Sequence, residues 1–319
     1  MTIGLLILDN MIEASVFFSL NAAQYLNAID PKQNIRVVTI GTKPLVKLSN
    51  GYSIKPNERL DTTERLDVLI VPGLFYYSEK EIVSFLDSDV VRKVNPFLVA
   101  QFKVGVVLAA SCVGTFLLAE AGLLKKKKAT TIWWQLKLFQ SRYSETNLLS
   151  DKLVVHDGSI LTAGSAFAHV DLISALVDKL FSKKIANLFH GYTLSPSRID
   201  QSSHFDFEMM AMQDSKMAEL VRFIGRQLND SISIKTLADR IGLSMRTLNR
   251  RTQLTFNCAP KKLIAQMRCK KACDYLKKRD LSIERISEAV GYSDARLFRR
   301  AFHMQFKVSP LEYRKQFLK

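Results

Sequence analysis

The chain has 319 residues, enough for two ordinary domains, and its 47% hydrophobic and 24% charged residues exclude a disordered or fibrous protein. Its net charge of +16 is concentrated at one end. Residues 215–319 carry 24 Lys and Arg against 9 Asp and Glu, whereas residues 1–214 carry 22 against 21. Such a local excess is typical of proteins that bind a polyanion, and we favour nucleic acid over a merely basic, solvated surface.

Hydropathy and cysteine usage narrow the class further. No apolar run approaches the ~20 residues of a membrane helix, and the first residues lack the basic stretch of a secretory signal, so we expect a cytoplasmic protein without membrane contact. The four cysteines are Cys112, Cys258, Cys269 and Cys273. None has a metal-ligand spacing with a neighbouring His, so the sequence predicts free thiols, no metal and no cofactor.

The first ~190 residues alternate short apolar runs with segments of helical periodicity. Buried strands are predicted at Ile3–Leu8, Ile35–Ile40, Val68–Val71 and Val104–Ala110. Helices are predicted at Ala14–Ile29, Lys80–Gln101, Thr115–Leu124 and Phe167–Phe181. A hairpin is predicted with strands Lys152–Val155 and Ser159–Thr162 around Asp157-Gly158. This order predicts a doubly wound, flavodoxin-like α/β fold.

The pattern changes after this region. Residues 193–213 lose periodicity and are predicted to be a linker, and only helical patterns follow it. The sequence therefore predicts an α/β domain at residues 1–192 and an all-helical domain at residues 214–319.

An internal repeat lies in the second domain, where residues 230–265 match residues 280–315. The matched pairs are Ile234 and Ile283, Leu237 and Ile286, Ile241 and Val290, Gly242 and Gly291, Ser244 and Ser293, Leu248 and Phe298, and Arg250 and Arg300. Each copy predicts a short helix, a turn at the glycine and a second helix capped by the serine. The repeat thus predicts two helix-turn-helix units, at residues 234–254 and 283–303.

The second helix of each unit has a basic face. The candidate DNA-binding residues are Arg246, Thr247, Asn249 and Arg250 in the first unit and Arg296, Arg299 and Arg300 in the second. Arg pairs with guanine and Asn with adenine at base edges in the major groove. A solvated charged face is the alternative interpretation, but two copies in register favour DNA binding.

One helix is predicted to connect the two units, from Pro260 to about Lys278. It would span ~27 Å at 1.5 Å per residue. That length can hold two recognition helices about one DNA turn apart, roughly 34 Å, on one side of the duplex. Residues 277–280, Lys-Lys-Arg-Asp, are expected to contact phosphate.

Residues 216–316 closely resemble the DNA-binding domain of the AraC family. The resemblance rests on Leu237-Ala238, Gly242-Leu243-Ser244, Arg246, Leu248, Arg250, Val290-Gly291-Tyr292-Ser293, Phe298, Arg300, Phe302, Ser309-Pro310 and Tyr313-Arg314. It implies sequence-specific promoter binding, regulation of transcription and contact with RNA polymerase. The segment Asp294-Ala295-Arg296 departs from the family pattern and is expected to alter the target sequence.

In the first domain, a strand after Val104 leads directly into a helix, with Cys112 at the corner. A cysteine on such a strained turn at a helix N-terminus has a lowered pKa and is a candidate nucleophile. The alternative is a small buried residue at a tight junction, and for a single cysteine we favour it.

This corner, together with three other segments, resembles the glutamine amidotransferase-like fold of PfpI type, over roughly residues 1–190. The other segments are Leu66–Gly73, Ala129–Trp133 and Asp157–Gly164. More narrowly, the chain resembles the sensor domain of GlxA-type AraC regulators. In that subfamily a His commonly precedes the Trp at position 133, where this chain has Ile132, which can neither accept a proton nor orient a thiolate.

Two other groups are candidate bases for Cys112. His169, with Asp171, is interpreted as structural, and Glu13 aligns only loosely with the acid of related folds. We therefore expect no amidotransferase or protease activity. A thiol hydrolase with a basic tail remains one rival hypothesis, and a DNA binder without sequence preference is the other.

The resemblance implies a small-molecule pocket at the carboxyl ends of the strands, where such sheets bind ligands. Candidate lining residues are Asn10, Gly73, Leu74, Phe75, Cys112, Val113, Ile132, Trp133 and Phe167. The resemblance, and not the residues themselves, implies that the effector is a small amine- or amino-acid-like metabolite. The same domain is expected to form a homodimer.

Overall fold

The computed structural model describes residues 1–63, 65–193, 206–277 and 281–316, which belong to two domains. Strands and helices alternate through residue 193, and only helices occur from residue 206 onward. The predicted fold class, an α/β domain followed by a helical domain, is confirmed. Within the described ranges no helix is both long enough and apolar enough to cross a membrane.

A seven-stranded sheet forms the centre of the first domain. The strands of this domain are β1 (Thr2–Ile7), β2 (Arg36–Gly41), β3 (Val46–Lys47), β4 (Ser53–Ile54), β5 (Glu58–Arg59), β6 (Val68–Val71), β7 (Val107–Ser111), β8 (Lys128–Ala129), β9 (Asn147–Leu148), β10 (Val154–Asp157) and β11 (Ile160–Ala163). The sheet order is β10-β11-β7-β6-β1-β2-β5, and only β10 runs antiparallel to its neighbour. β1 lies between β2 and β6, with Leu5 opposite both Thr39 and Ile70.

Helices cover both faces of this sheet. They are α1 (Glu13–Ile29), α2 (Glu79–Leu86), α3 (Asp89–Lys103), α4 (Gly114–Glu120), α5 (Leu136–Arg142), α6 (His169–Leu180) and α7 (Lys183–Thr193). The single helix predicted at Lys80–Gln101 was wrong, because Asp87 ends α2 and Ser88 precedes α3. Short polar side chains such as these compete for backbone hydrogen bonds and favour helix ends over helix interiors.

Two further differences have local causes. The strand predicted from Val104 begins only at Val107, because Gly105 has a φ of +89° and belongs to a turn. The two-residue strands β3, β4, β5, β8 and β9 were not predicted, because so short a segment has no measurable periodicity.

The second domain contains eight helices within the described residues. They are α8 (Phe207–Ala211), α9 (Ser215–Arg226), α10 (Ile234–Arg240), α11 (Met245–Phe256), α12 (Pro260–Leu276), α13 (Ile283–Ala289), α14 (Ala295–Phe306) and α15 (Pro310–Gln316). Helices α10 and α11 form the first helix-turn-helix unit, and α13 and α14 form the second.

The predicted linker at residues 193–213 is partly folded. Thr193 ends α7, residues 194–205 lie outside the described residues, and α8 occupies residues 207–211. Asp206 caps α8 by accepting two backbone N–H groups, and Phe207 is buried against Phe256, with ring centroids 6.2 Å apart. These few apolar residues in a polar stretch were too short a signal to predict a helix.

Helix α12 is part of the core of the second helix-turn-helix unit. Its buried face packs against α13 and α14 through Cys269, Ala272, Cys273, Leu276, Ile286, Val290, Phe298 and Phe302. Because α12 also packs on α11 of the first unit, the connector is fixed by packing and is not a free spacer.

Candidate nucleic-acid interface and elbow cysteine

The turns of both helix-turn-helix units contain a glycine in the left-handed region. The φ of Gly242 is +63° and that of Gly291 is +84°, values that glycine adopts at little steric cost. The first helices are also capped alike, by Ser233 before α10 and Ser282 before α13. The repeat predicted from the sequence is therefore a repeat of backbone conformation.

The second helices are capped differently in the two copies. Ser244 caps α11 as predicted, and its hydroxyl accepts the Thr247 N–H at 3.1 Å. The predicted cap Ser293 is wrong, since Asp294 caps α14 and accepts the Arg296 N–H at 2.7 Å. Asp294 is the extra residue of the second copy, so the insertion moves the cap by one position. Hydrogen bonds from Arg296 hold the pKa of Asp294 below its usual value.

The candidate DNA-binding arginines lie on the exposed sides of α11 and α14, while Leu248 and Phe298 are fully buried. Arg246, Arg250 and Arg300 form no hydrogen bond or ion pair with any residue in the described ranges. Arg250 and Arg300 occupy equivalent positions in the two units. Three guanidinium groups are thus available to an external partner.

The other two candidate arginines have acidic neighbours. The Arg296 side chain is 88% exposed and pairs with Asp294 at 3.2 Å, and Arg299 pairs with Glu284 of α13. Exposed ion pairs contribute about 0–1 kcal/mol, so these contacts can be exchanged for DNA contacts at small cost.

The polar candidates of α11 are held by the helix itself. The Asn249 amide donates to the Met245 carbonyl at 2.9 Å, and the Thr247 hydroxyl lies 2.9 Å from that of Ser244. A bidentate contact with adenine uses both ends of an Asn amide. The Asn249 NH2 has a second hydrogen, so the bond to Met245 leaves one donor and the carbonyl oxygen for such a contact, whereas Thr247 supports the cap.

Helix α12 has 17 residues, which corresponds to ~25 Å. It begins at Pro260, as predicted. Of the expected phosphate contacts at residues 277–280, Lys277 is exposed and residues 278–280 lie outside the described residues.

Cys112 forms the predicted strained corner between β7 and α4. Its φ is +56°, which is unfavourable for any side chain other than hydrogen. The Cys112 N–H donates to the Ala163 carbonyl at 3.0 Å, and the Thr131 hydroxyl donates to the Cys112 carbonyl at 3.1 Å. Gly73 approaches so closely that a Cβ there would lie 2.9 Å from that of Cys112.

Cys112 is buried, in line with the interpretation favoured from the sequence, and the pKa of its thiol is raised rather than lowered. The residue is only 2% exposed, and burial raises the pKa of its thiol to about 12, because a thiolate loses hydration there. The hydrogen bond from the backbone of Val113 has the opposite effect and does not compensate. The corner has the shape of a nucleophile elbow without an ionised nucleophile.

We expect Cys112 to resist alkylation in the folded chain. With a pKa of about 12, the thiolate fraction at pH 7 is on the order of 10⁻⁵. Iodoacetamide at neutral pH, followed by peptide mass spectrometry, should leave Cys112 unmodified in the native chain and modify it fully after denaturation in guanidinium. Alkylation of native Cys112 at the rate of a free thiol would contradict this burial.

The candidate bases have other partners. His169 is buried, with Nε2 2.8 Å from the Ser19 hydroxyl and Nδ1 2.9 Å from the Ser111 hydroxyl. Burial lowers the pKa of His169 to about 3, so the ring is neutral at physiological pH. The Glu13 carboxylate accepts hydrogen bonds from the Ser49 hydroxyl at 3.1 Å and from a backbone N–H of the same loop.

We expect the buried His169 to make the first domain sensitive to acid. The unfolded chain protonates His169 near pH 6.5, whereas the folded chain resists protonation down to about pH 3. Stability is therefore lost as the pH falls below 6.5, by up to about 1.4 kcal/mol per pH unit. Urea denaturation between pH 7 and 4.5 should show a shallower loss for His169→Gln than for the wild type. The exposed His156→Gln should match the wild type, and equal slopes for all three would exclude this role.

The nine candidate pocket residues lie along the carboxyl edge of the sheet. Backbone hydrogen bonds join their segments, from the Phe75 N–H to the Asn10 carbonyl at 2.7 Å and from the Ile12 N–H to the Gly73 carbonyl at 2.8 Å. The buried members are Gly73, Leu74, Cys112, Val113 and Ile132. Asn10, Phe75 and Phe167 are exposed and Trp133 is half-buried. The segments of Asn10, Gly73 and Phe75 are thus joined at this edge, but five of the nine predicted residues are buried in the core.

A cavity of about 500 Å³ opens beside this edge, between the ends of β1 and β2 and helix α2. Its lining comprises Leu8, Asp9, Thr42, Lys43, Tyr76, Lys80, Glu81, Ser84, Phe85, Ser88 and Val90. Asp9 and Lys43 form an ion pair there, and the Tyr76 hydroxyl hydrogen-bonds with Asn10. These residues were not predicted from the sequence, although Asp9 and Lys43 follow two strands that end at this edge.

The cysteines and carboxylates of the described residues provide no metal site. All four cysteines are free thiols in buried positions. In the parts of the chain that the structure describes, no group of three or more His, Cys, Asp or Glu side chains could hold a metal ion.

Comparison with known proteins finds relatives of both halves. Residues 1–179 match the DJ-1/PfpI family, and residues 237–316 match a family described as a helix-turn-helix domain. The HTH-type transcriptional regulator CdhR of Pseudomonas aeruginosa is 26% identical over 277 residues, which cover 84% of this chain and 78% of the relative. The HTH-type transcriptional regulator GbdR of Pseudomonas aeruginosa is 23% identical over 317 residues, covering 98% and 84%.

A solved structure is similar in fold to part of the chain. An AraC family transcriptional regulator from Pseudomonas putida superposes with a TM-score of 0.50 and 18% identity, over 61% of this chain and 99% of the other. At that identity the likeness supports the fold alone.

Proposed function

Since the chain belongs to the DJ-1/PfpI family through its first domain and is an AraC-family DNA-binding transcriptional regulator, we propose that its two helix-turn-helix units bind adjacent major grooves of promoter DNA under the control of a small metabolite. The metabolite would bind the first domain. It can act only through different affinities for DNA-competent and DNA-incompetent states. The segment between the domains would carry that coupling.

The DNA-binding part of the proposal rests on one observation. Arg250 and Arg300 lie at equivalent positions of two capped helices, are exposed and have no partner within the described residues. An unpaired guanidinium keeps all its donors available for the O6 and N7 atoms of guanine. Two such groups on helices joined by α12 match two successive grooves better than one isolated site.

The sensor part rests on the carboxyl edge of the sheet. The candidate pocket residues follow strands that end at this edge, and the cavity of about 500 Å³ beside it, although lined by other residues, is large enough for a small metabolite. Asp9, Glu81, Lys43 and Lys80 place both signs of charge at this cavity, although Asp9 and Lys43 pair with each other and Glu81 caps α2. This mixture is compatible with an amine or amino acid as the effector.

We propose that the first domain is not an enzyme. Ile132 occupies the position of the expected base and is buried, Cys112 is protonated, and His169 is held between two serines. A thiol hydrolase needs a base within hydrogen-bond reach of its nucleophile. This arrangement favours a binding role for the elbow over the rival hydrolase hypothesis.

The proposal includes a homodimer formed by the first domain and a contact with RNA polymerase. Tyr25 of α1 and Tyr192 of α7 stack on an exposed surface, with ring centroids 6.4 Å apart, and Phe17 and Leu188 are exposed on the same helices. Large apolar side chains exposed on two helices that pack together favour protein association. Binding of a bacterial promoter would place the protein in the cytoplasm.

Selection of bound sequences from random DNA by the full chain tests the proposal. The selection should enrich two short sequence tracts at a fixed separation. If no sequence is enriched, the rival hypothesis of a DNA binder without sequence preference would be supported instead. A panel of amino acids and amines should then contain a compound that changes the affinity for the selected DNA. Replacing Ser84 at the cavity by Trp should abolish that change, and no response to any member of the panel would contradict the sensor part.

A further inference from the structure

The turns of the two helix-turn-helix units have different surroundings. A Cβ at Gly291 would lie 2.2 Å from the Leu228 carbonyl oxygen and 2.6 Å from Nη2 of Arg268. A Cβ at Gly242, the equivalent glycine, would approach only Lys216 Nζ, at 3.7 Å. Leu228 lies in the segment between α9 and α10, which leads into the first unit. The turn of the second unit is therefore packed against this segment, with no room for a side chain.

Arg268 of α12 joins the same elements. Its Nε donates to the Leu228 carbonyl at 3.0 Å, and its Nη2 donates to the Asp230 carbonyl at 2.6 Å. The guanidinium also lies 5.4 Å from the ring centroid of Tyr292, the residue after Gly291. One side chain on the connector thus binds the backbone of the segment that leads into the first unit and an aromatic ring of the second.

The junction borders an open space. Arg268 and Gly291 line a cavity of about 560 Å³ that extends between the segment 229–232, α12 and the turn of the second unit. Within the described residues, α11 packs on α12, and α10 and α11 make few direct contacts with α13 or α14. The relative placement of the two units therefore depends on α12 and on the contacts of its side chains, of which Arg268 is one.

We propose that Arg268, through its contacts with the Leu228 and Asp230 carbonyls and the Tyr292 ring, fixes the separation and rotation of the two recognition helices. The close approach of Gly291 is part of the same contact. The contact would thereby set the spacing between half-sites that the protein accepts. This inference rests on the proposed binding of two adjacent grooves. One extra base pair between half-sites moves the second groove by about 3.4 Å and rotates it by about 34°. A rigid junction makes that change costly, and a loose one does not. Arg268 is a positioning residue and contacts no DNA itself.

The test measures affinity of the full chain for its selected DNA and for the same DNA with one, two or three base pairs inserted between the tracts. The wild type should lose roughly tenfold or more in affinity with two inserted base pairs. Arg268→Ala should bind the original spacing more weakly, and its insertion penalty should fall to about twofold. Arg268→Lys keeps the charge but cannot bridge both carbonyls and the ring, so it should reduce the penalty without changing the salt dependence.

Two pairs of variants distinguish an effect on half-site spacing from the loss of a charge and from strain in the turn. Lys262→Ala removes an exposed charge from the same helix and should keep the full insertion penalty. Gly242→Ala and Gly291→Ala strain equivalent turns, but only Gly291→Ala displaces the junction, so only it should reduce the penalty. Helical circular dichroism checks that each variant is folded.

The outcomes distinguish a failure of two-groove binding from a failure of the role proposed for Arg268. A wild type that binds all spacings equally would overturn the two-groove function itself. A wild type with a clear penalty that Arg268→Lys and Gly291→Ala both retain would overturn only the role of this contact. Should Arg268→Ala fail to fold, these last two variants decide the question.

Discussion

Replacing Arg250 and Arg300 together by alanine is expected to abolish sequence-specific DNA binding while leaving the chain folded. Each arginine is exposed and unpaired within the described residues, so its loss leaves no buried charge behind. A base-contacting arginine contributes about 1–3 kcal/mol, and effects at separate helices add, so the double variant should lose about 2–6 kcal/mol. Titration of the selected DNA with each single variant and the double variant measures this loss.

Lys235→Ala combined with Arg285→Ala is the matched control. These residues are exposed on α10 and α13, the first helices of the two units, and the change removes the same charge. The control should weaken all DNA alike and reduce the slope of log affinity against log salt by about two. If the double variant of Arg250 and Arg300 also lost affinity for random DNA and for selected DNA by the same factor, the two arginines would not contact bases.

Phe298→Ala is expected to unfold the second helix-turn-helix unit. The ring is fully buried, 5.7 Å from the rings of both Tyr292 and Phe302. Truncation of a buried Phe costs about 3–5 kcal/mol, which is comparable to the whole stability of a small helical domain. Thermal denaturation followed by circular dichroism at 222 nm should show an earlier, separate loss of helix.

Leu297→Ala provides the comparison at the neighbouring position. Leu297 is 56% exposed on the same helix, and surface changes of this kind alter stability by about 0.5 kcal/mol or less. Equal destabilisation by both substitutions would show that α14 does not pack as described. Leu248→Ala, the equivalent of Phe298→Ala in the first unit, should cost about 2–5 kcal/mol.

Much of this architecture follows from local patterns in the sequence. The buried strands β1, β2, β6 and β7 are continuous apolar runs, and the two helix-turn-helix units repeat the same glycine and the same apolar positions. Such signals depend on residue type and spacing alone, so they can be recognised without knowledge of the tertiary structure. The exposed face of α11 and α14 follows in the same way from the burial of Leu248 and Phe298.

The features that escaped prediction depend on contacts between distant residues. A helix N-terminus alone would lower the pKa of Cys112, but the packing of β6, β7 and the segment after β8 around it has the larger effect. The contact between Arg268 and Leu228 joins residues 40 positions apart. The role of Asp294 as a cap depends on a one-residue insertion that periodicity does not register.

The most direct test is hydroxyl-radical footprinting combined with methylation interference, using the full chain on its selected DNA. The account predicts two protected tracts on one side of the duplex, separated by about one helical turn, each with guanines whose N7 methylation blocks binding. A single protected tract, or even protection without any interfering guanine, would contradict binding of adjacent grooves by two arginine-bearing helices.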